Sequence, residues 1–151
     1  MSNPDILQTV KSALGYVKRF SGTSILIKLG GAALEDQSLV AALCEDLSLI
    51  RGAGVNVVLV HGGGPAINRE LERRGITWSF VDGLRVTTPE MMEIIEMVLC
   101  GKVNRRIVRT LNQSAVRAIG LSGSDARTLF CKPMRKDLGL VGEVTSVRPA
   151  A

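Results

Sequence analysis

Apolar residues recur every three to four positions in four segments, which predicts four amphipathic helices. The segments are 3–20, 39–50, 65–74 and 88–112. Two shorter runs, SILIKL at 24–29 and VNVVLV at 55–60, are almost entirely aliphatic. Such runs are typical of strands buried on both faces of a sheet. The order strand, helix, strand, helix therefore predicts a parallel pair of strands joined by a right-handed crossover.

The longest predicted helix has two candidate N-caps. Thr87 with Glu90 three residues later fits a capping box. Pro89 suits the first helical position and favours Thr88 as the cap instead. The sequence leaves both alternatives open.

The second half of the chain contains weaker strand signals. Asp82-Gly83 stands between short β-prone runs within residues 77–86, which predicts a hairpin. AVRAIGLS at 115–122 predicts a further strand. Short strand-like pieces lie around 129–134 and 140–147. The pattern as a whole predicts an α/β fold.

Length and composition are those of a folded domain without a membrane span. The chain has 151 residues, 46% hydrophobic and 22% charged, which predicts one domain or one lobe of a larger protein. No apolar run is long enough to cross a bilayer, and the first residues lack the features of a secretory signal. Three widely spaced cysteines are typical of free thiols, so we expect a cytoplasmic location. Scattered cysteines with one histidine predict no metal site.

The net charge of +5 favours anionic partners. Four cationic residues recur at helical spacing: Lys102, Arg105, Arg106 and Arg109. A solvated helix face or a contact with an acidic neighbour explains them better than nucleic acid does. Aromatic residues make up 3% of the chain, which leaves no platform for base stacking. We therefore expect neither nucleic acid nor a membrane as partner.

Glycines follow both predicted strands. Gly30 and Gly31 end the first strand, and Gly62, Gly63 and Gly64 end the second. Ligands of parallel sheets bind beyond the carboxyl ends of the strands. Glycine lets backbone N–H groups approach a ligand closely, and successive N–H groups beside a helix N-terminus bind anions. Two cradles for a carboxylate or phosphate are therefore favoured over tight turns alone.

Two cations accompany these glycines. Lys28 lies inside an aliphatic strand, and burying an unpaired ammonium is costly, so it requires an anion, either an internal carboxylate or a bound phosphate. Such an ammonium would stabilise charge on a transferring phosphoryl group. Arg85 follows the turn at Asp82-Gly83 and suits bidentate binding of a carboxylate. A surface salt bridge is the alternative for Arg85.

Three other glycine motifs are excluded. The HGGG sequence occurs in lipases as an oxyanion-hole element, but those enzymes need G-x-S-x-G and a separate catalytic histidine. The sole histidine here, His61, belongs to HGGG itself. Neither the dinucleotide fingerprint nor the P-loop pattern is present.

Five segments together resemble the N-acetyl-L-glutamate kinases of the amino acid kinase family. They are IKLGG (27–31), VLVHGGGPAIN (58–68), VDGLRVTTPEMMEIIEMVLCGKVN (81–104), GLSGSD (120–125) and GLVGEV (139–144). The resemblance implies a three-layer α/β/α fold with an open, mostly parallel sheet. It also implies a division into a helical extension, 1–22, and an amino-terminal substrate-binding lobe, 23–151. The family's second lobe, which carries the ATP pocket, would follow and is absent from this chain.

The resemblance implies that ATP with Mg²⁺ phosphorylates the side-chain carboxylate of N-acetyl-L-glutamate in arginine biosynthesis. The catalytic residue would be Lys28, which would stabilise the transferring phosphoryl group. Arg85 would hold the α-carboxylate under a lid that includes residues 77–86. The implied backbone contacts are Gly63 and Gly64 to the substrate, and Gly30, Gly31 and Gly62 to the phosphates.

Three further expectations follow from the resemblance. The helix at 3–20 is similar to the extension through which family members form dimers and hexamers, so a homo-oligomer is expected at full length. The alternative is a helix packed on its own domain. GLSGSDA stands where many relatives read GLSGKDG, so we assign no catalytic role to Ser124 or Ala126. An incomplete kinase is expected to be inactive alone; the alternative is a non-catalytic acetylglutamate-binding or regulatory module that needs a partner chain.

Overall fold

A computed structural model of the chain describes residues 4–113 and 116–148. The helices are α1 (Pro4–Phe20), α2 (Gln37–Gly52), α3 (Gly64–Arg73), α4 (Pro89–Glu96), a π-helix (Met97–Asn104) and α5 (Arg105–Gln113). The strands are β1 (Ser24–Leu29), β2 (Asn56–His61), β3 (Phe80–Val81), β4 (Leu84–Arg85), β5 (Leu129–Pro133) and β6 (Gly142–Val147). Three short 3₁₀ turns lie at Ala33–Glu35, Asp125–Arg127 and Lys136–Leu138.

Strands β1 and β2 are parallel, as their sequences predict. Their register runs from Ser24 opposite Asn56 to Leu29 opposite His61, so both strands end at the same edge. The inner face of the pair packs on the buried core of the helices. The strand residues in this contact are Ile27, Leu29, Val57 and Leu59. The α/β class and the parallel pair are therefore confirmed.

The outer face of the same two strands is open. Leu26, Val58 and Val60 are 68%, 52% and 46% exposed, and Lys28 on this face is exposed as well. The prediction that both strands are buried on both faces is therefore wrong for the described part of the chain. An aliphatic strand is suited to burial on both of its faces. Each face is buried only if other elements pack against it, and the described helices pack against the inner face alone.

The long helical run at 89–113 was predicted at 88–112, and its cap is now identified. Thr88 Oγ1 accepts a hydrogen bond from Met91 N at 3.2 Å, so Thr88 is the N-cap. Thr87 is buried, and its hydroxyl donates to Arg85 O at 2.9 Å. Hydrophobic periodicity gave no indication of the π-helix in the middle of this run.

The chain also contains two antiparallel hairpins. The predicted turn between β3 and β4 is confirmed, with Asp82 at φ 51° and Gly83 at φ 77°. Both values lie in the left-handed region that a two-residue hairpin turn requires. Strands β5 and β6 form the second hairpin, in agreement with the strand-like pieces of the sequence.

The strand predicted at 115–122 is wrong for residues 116–122, which form no strand; residue 115 lies outside the described part. The Asn112 side chain binds the backbone within this segment. Its Oδ1 accepts from Ala118 N at 2.8 Å, and its Nδ2 donates to Ala118 O at 3.0 Å. The backbone N–H and C=O of Ala118 are thus both bonded to this amide and not to a neighbouring strand.

Helix α1 agrees with the predicted helix at 3–20, except that residue 3 lies outside the described part. Its apolar side chains are at least 40% exposed: Ile6, Leu7, Val10, Leu14, Tyr16, Val17 and Phe20. No helix in the described ranges is both long and apolar enough to cross a membrane. An exposed apolar stripe of this size is typical of a surface that contacts another protein surface.

Candidate anion-binding site

Two glycine bends meet at the carboxyl edge of β1 and β2. The first bend is Gly30-Gly31 and the second is Gly62 to Gly64. A Cβ on Gly31 would lie 3.0 Å from the backbone nitrogens of both Gly63 and Gly64. The prediction that the two bends lie side by side is therefore confirmed, and the contact depends on the missing side chain at Gly31.

Several backbone donors at this contact are unused. Gly30, Gly31 and Gly63 donate no backbone hydrogen bond within the described ranges. Gly64 opens α3, where N–H groups have no intrahelical partner. Gly62 differs, because its N–H donates to Leu29 O at 3.1 Å and is not free for a ligand. The bends thus present unpaired N–H groups beside the positive end of a helix dipole.

The π-helix packs against the second bend. A Cβ on buried Gly63 would lie 2.6 Å from Leu99 Cδ2 and 3.4 Å from Val103 Cγ2. Both side chains belong to the π-helix, so the packing of that helix limits how closely the second bend can approach it. Sequence reasoning missed this contact, since spacing along the chain gives no sign of it.

The histidine before the second bend has a structural role. His61 Nε2 lies 3.3 Å from Asn104 Nδ2, a donor, and Nδ1 lies 3.0 Å from Gly62 O. These partners fit a neutral ring that carries its proton on Nδ1. The imidazole therefore ties the bend to the end of the π-helix.

Arg85 at the end of β4 is half-buried and forms no ion pair with a carboxylate among the described residues. Its Nη2 donates to Asn68 Oδ1 on α3, and its guanidinium carbon lies 4.7 Å from the Phe80 ring centre and 5.6 Å from that of Trp78. Its Nη1 is shielded from solvent and has no hydrogen-bond partner in the part of the chain described. Burial lowers the pKa of Arg85. The surface salt bridge considered for Arg85 is absent among these residues, which leaves a buried donor for an anionic ligand.

Lys28 lies on the open outer face of β1, opposite Val60. The ion pairs within residues 4–113 and 116–148 do not include it. The argument that a buried ammonium requires an anion is therefore wrong here, because water reaches this side chain. Along the chain, Lys28 lies two residues before the first bend.

The GLSGSDA segment contains backbone in an unfavourable region. Ser122 N and Oγ donate to Asp125 Oδ2 at 2.6 and 3.2 Å, which closes a tight turn. The next residue, Ala126, has φ 50° and ψ 20°, where a side chain is strained. The sequence difference from many relatives thus places an alanine where glycine is favoured.

Replacing Ala126 with glycine is expected to raise the free energy of unfolding by about 1 kcal/mol, because the left-handed backbone is then unstrained. Urea unfolding followed by circular dichroism measures this. The matched control is Ala41→Gly in the exposed middle of α2, which we expect to lower stability by about 1 kcal/mol. Equal losses from both changes would contradict the strain at Ala126.

Comparison with known proteins agrees with this geometry. The amino acid kinase family model matches residues 23–151. A crystal structure of a Streptococcus mutans protein superposes with a TM-score of 0.75 at 30% identity, over 83% of this chain and 51% of that one. The chain belongs to the amino acid kinase family.

Within the family, the chain is similar to acetylglutamate kinases. It is 45% identical to that of Citrifermentans bemidjiense over 94% of this chain and 53% of the relative, and 46% identical to that of Thermoanaerobacter sp. over 93% and 48%. The chain thus spans about half the length of the curated relatives it matches. An N-acetylglutamate synthase from Neisseria gonorrhoeae shares the fold, with a TM-score of 0.75 at 23% identity.

Proposed function

We propose that this chain is the acyl-acceptor lobe of an acetylglutamate kinase, which binds N-acetyl-L-glutamate for phosphorylation of its side-chain carboxylate by ATP. The observation that carries the proposal is the buried Nη1 of Arg85, which has no hydrogen-bond partner among the described residues, while Nη2 donates to Asn68 on the helix that begins at the glycine bends. In a substrate with two carboxylates, one can bind the Arg85 cation and the other can bind the glycine N–H donors. The similarity to acetylglutamate kinases supports this choice among dicarboxylates.

Each group in the site has a proposed task. Arg85 holds the α-carboxylate, since a guanidinium binds carboxylates in a planar fork. Gly63 and Gly64 donate to the reacting carboxylate, and Gly30 and Gly31 donate to the phosphates. Gly62 keeps the bends in contact, because its own N–H is already bonded to the β1 carbonyl of Leu29.

The proposed reaction is an in-line phosphoryl transfer. A side-chain carboxylate oxygen of the substrate forms a bond to the γ-phosphorus, and the bond from that phosphorus to the bridging oxygen of ADP breaks. Negative charge on the phosphoryl oxygens is offset by the Lys28 ammonium and the glycine N–H groups. The exposed, flexible side chain of Lys28 can move towards that charge.

The chain carries part of what ATP with Mg²⁺ would need. The unpaired N–H groups at the bends fit phosphate oxygens, and bound ATP would supply the phosphoryl group. No cluster of three or more acidic, histidine or cysteine side chains within the described ranges fits a metal ion. We therefore assign no step to Mg²⁺ in this lobe.

The β3–β4 hairpin is proposed as part of a lid. Phe80 on this hairpin and the nearby Trp78 contact the guanidinium of Arg85, and Nη1 is shielded from solvent. A carboxylate reaches Nη1 only if the neighbouring side chains move aside. Lid movement would then expose the cation for binding and cover the bound substrate again.

A second candidate is a non-catalytic acetylglutamate-binding module that works with a partner chain. The open outer face of β1 and β2, with Leu26 68% exposed, favours a covering partner. The exposed apolar stripe of α1 equally suits a homo-oligomer. Both candidates share the same substrate site and differ only in what supplies the nucleotide.

The isolated chain is expected to bind N-acetyl-L-glutamate without phosphorylating it. Isothermal titration calorimetry measures the binding, with N-acetyl-L-glutamine as the control that lacks the side-chain carboxylate. Trapping of any acyl phosphate with hydroxylamine in the presence of Mg-ATP measures turnover. Turnover by this chain alone would contradict an incomplete kinase, and equal binding of the two ligands would contradict a site for the side-chain carboxylate.

A further inference from the structure

We propose that Asn68 is the positioning residue that makes the site selective for an α-carboxylate, an inference that rests on the proposed binding of N-acetyl-L-glutamate. Asn68 lies on α3, one helical turn after the second glycine bend, and is half-buried. Its Oδ1 is the acceptor for Arg85 Nη2. In the described part of the chain, this is the hydrogen bond that orients the guanidinium.

Chemistry fixes the direction of the Asn68 amide. An arginine has only donors, so the amide must turn its oxygen towards Arg85. The amide nitrogen then points away and donates no hydrogen bond within residues 4–113 and 116–148. Asn68 therefore joins the α3 helix to the hairpin cation and leaves a second donor unused beside it.

Ring contacts alone would leave the guanidinium free to rotate. Phe80 and Trp78 lie 4.7 and 5.6 Å from its central carbon, and cation–π attraction fixes distance better than angle. Because Asn68 engages Nη2, Nη1 is the nitrogen without a partner among the described residues, and it can donate to a ligand once the neighbouring side chains move aside. The hydrogen bond from Arg85 to Asn68 thus determines which edge of the guanidinium binds a carboxylate.

A neutral acceptor suits this task better than an acidic one. An aspartate at position 68 would also accept from Arg85 but would neutralise its charge, and the site would lose its attraction for a carboxylate. An asparagine orients the cation and preserves its charge. The pair Asn68 and Arg85 is therefore arranged to bind an external anion.

The test uses the ratio of two affinities, measured by calorimetry on the whole chain. The ligands are N-acetyl-L-glutamate and 4-acetamidobutyrate, which lacks the α-carboxylate. We expect Asn68→Ala to weaken binding of N-acetyl-L-glutamate by about tenfold, in line with a lost hydrogen bond to a charged group. Asn68→Asp, which has the same shape, is expected to weaken it further. Binding of 4-acetamidobutyrate should change less than twofold in both variants.

The control variant is Arg73→Ala on the same helix, whose side chain is 68% exposed and should leave both affinities unchanged. A general structural defect would lower both affinities together, which would overturn the inference. An unchanged ratio in Asn68→Asp would overturn the positioning role while leaving the substrate proposal standing. A wild-type chain that does not prefer N-acetyl-L-glutamate over 4-acetamidobutyrate would overturn the proposed function and this inference with it.

Discussion

Arg85→Ala is expected to lower the affinity for N-acetyl-L-glutamate by about 100-fold, since losing one partner of a buried, hydrogen-bonded charge pair costs roughly 2–5 kcal/mol. The effect is large because Arg85 is the half-buried cation whose Nη1 has no partner in the described residues. Its removal leaves the α-carboxylate facing the rings of Phe80 and Trp78. Calorimetry with the wild-type and variant chains measures the change.

Arg85→Lys separates charge from geometry. A lysine keeps the positive charge but lacks the planar fork, so we expect an affinity between those of the wild type and Arg85→Ala. Arg73→Ala removes an exposed arginine and should bind like the wild type. A similar affinity in Arg85→Ala and Arg73→Ala would show that Arg85 does not contact the substrate.

Gly31→Ala is expected to separate the two glycine bends. The new methyl group would lie 3.0 Å from the nitrogens of Gly63 and Gly64 and 3.2 Å from Pro65 Cδ. Two of these neighbours are backbone atoms, which cannot rotate away. We therefore expect a loss of about 1–3 kcal/mol in the free energy of unfolding, typical of overpacking. We also expect substrate binding to weaken by at least tenfold, because the N–H groups are displaced.

The stability control is Gly52→Ala at the end of α2, where an added Cβ meets nothing within 4 Å. That change should leave the urea midpoint equal to or above the wild-type value, since alanine is the better helix former. A Gly31→Ala chain as stable and as tightly binding as the wild type would contradict the close contact of the bends.

The strands β1 and β2 and the glycine bends could be predicted from the sequence, because they depend on local patterns. Aliphatic runs predicted β1 and β2, and the glycines after them predicted the edge that we propose binds the ligand. Parallel pairing then required the two bends to meet. The hairpin turn at Asp82-Gly83 was equally local, since it depends on two adjacent residues.

Other features depend on contacts between distant residues, and the sequence did not reveal them. The Lys28 side chain is exposed because no described layer covers the outer face of β1, which a strand's own composition cannot indicate. Residues 116–122 form no strand, and the Asn112 amide binds both backbone groups of Ala118. The bond between Asn68 and Arg85 crosses 17 positions, a spacing without a local signature. The support of Gly63 by the π-helix is of the same kind.

The most direct test of the account is a crystal structure of the chain with N-acetyl-L-glutamate. We predict one ligand carboxylate within about 3.2 Å of the Arg85 guanidinium and the other facing the N–H groups of Gly63 and Gly64. A ligand bound away from the glycine bends would contradict it. So would an Arg85 side chain paired with a carboxylate of the protein while the ligand is bound.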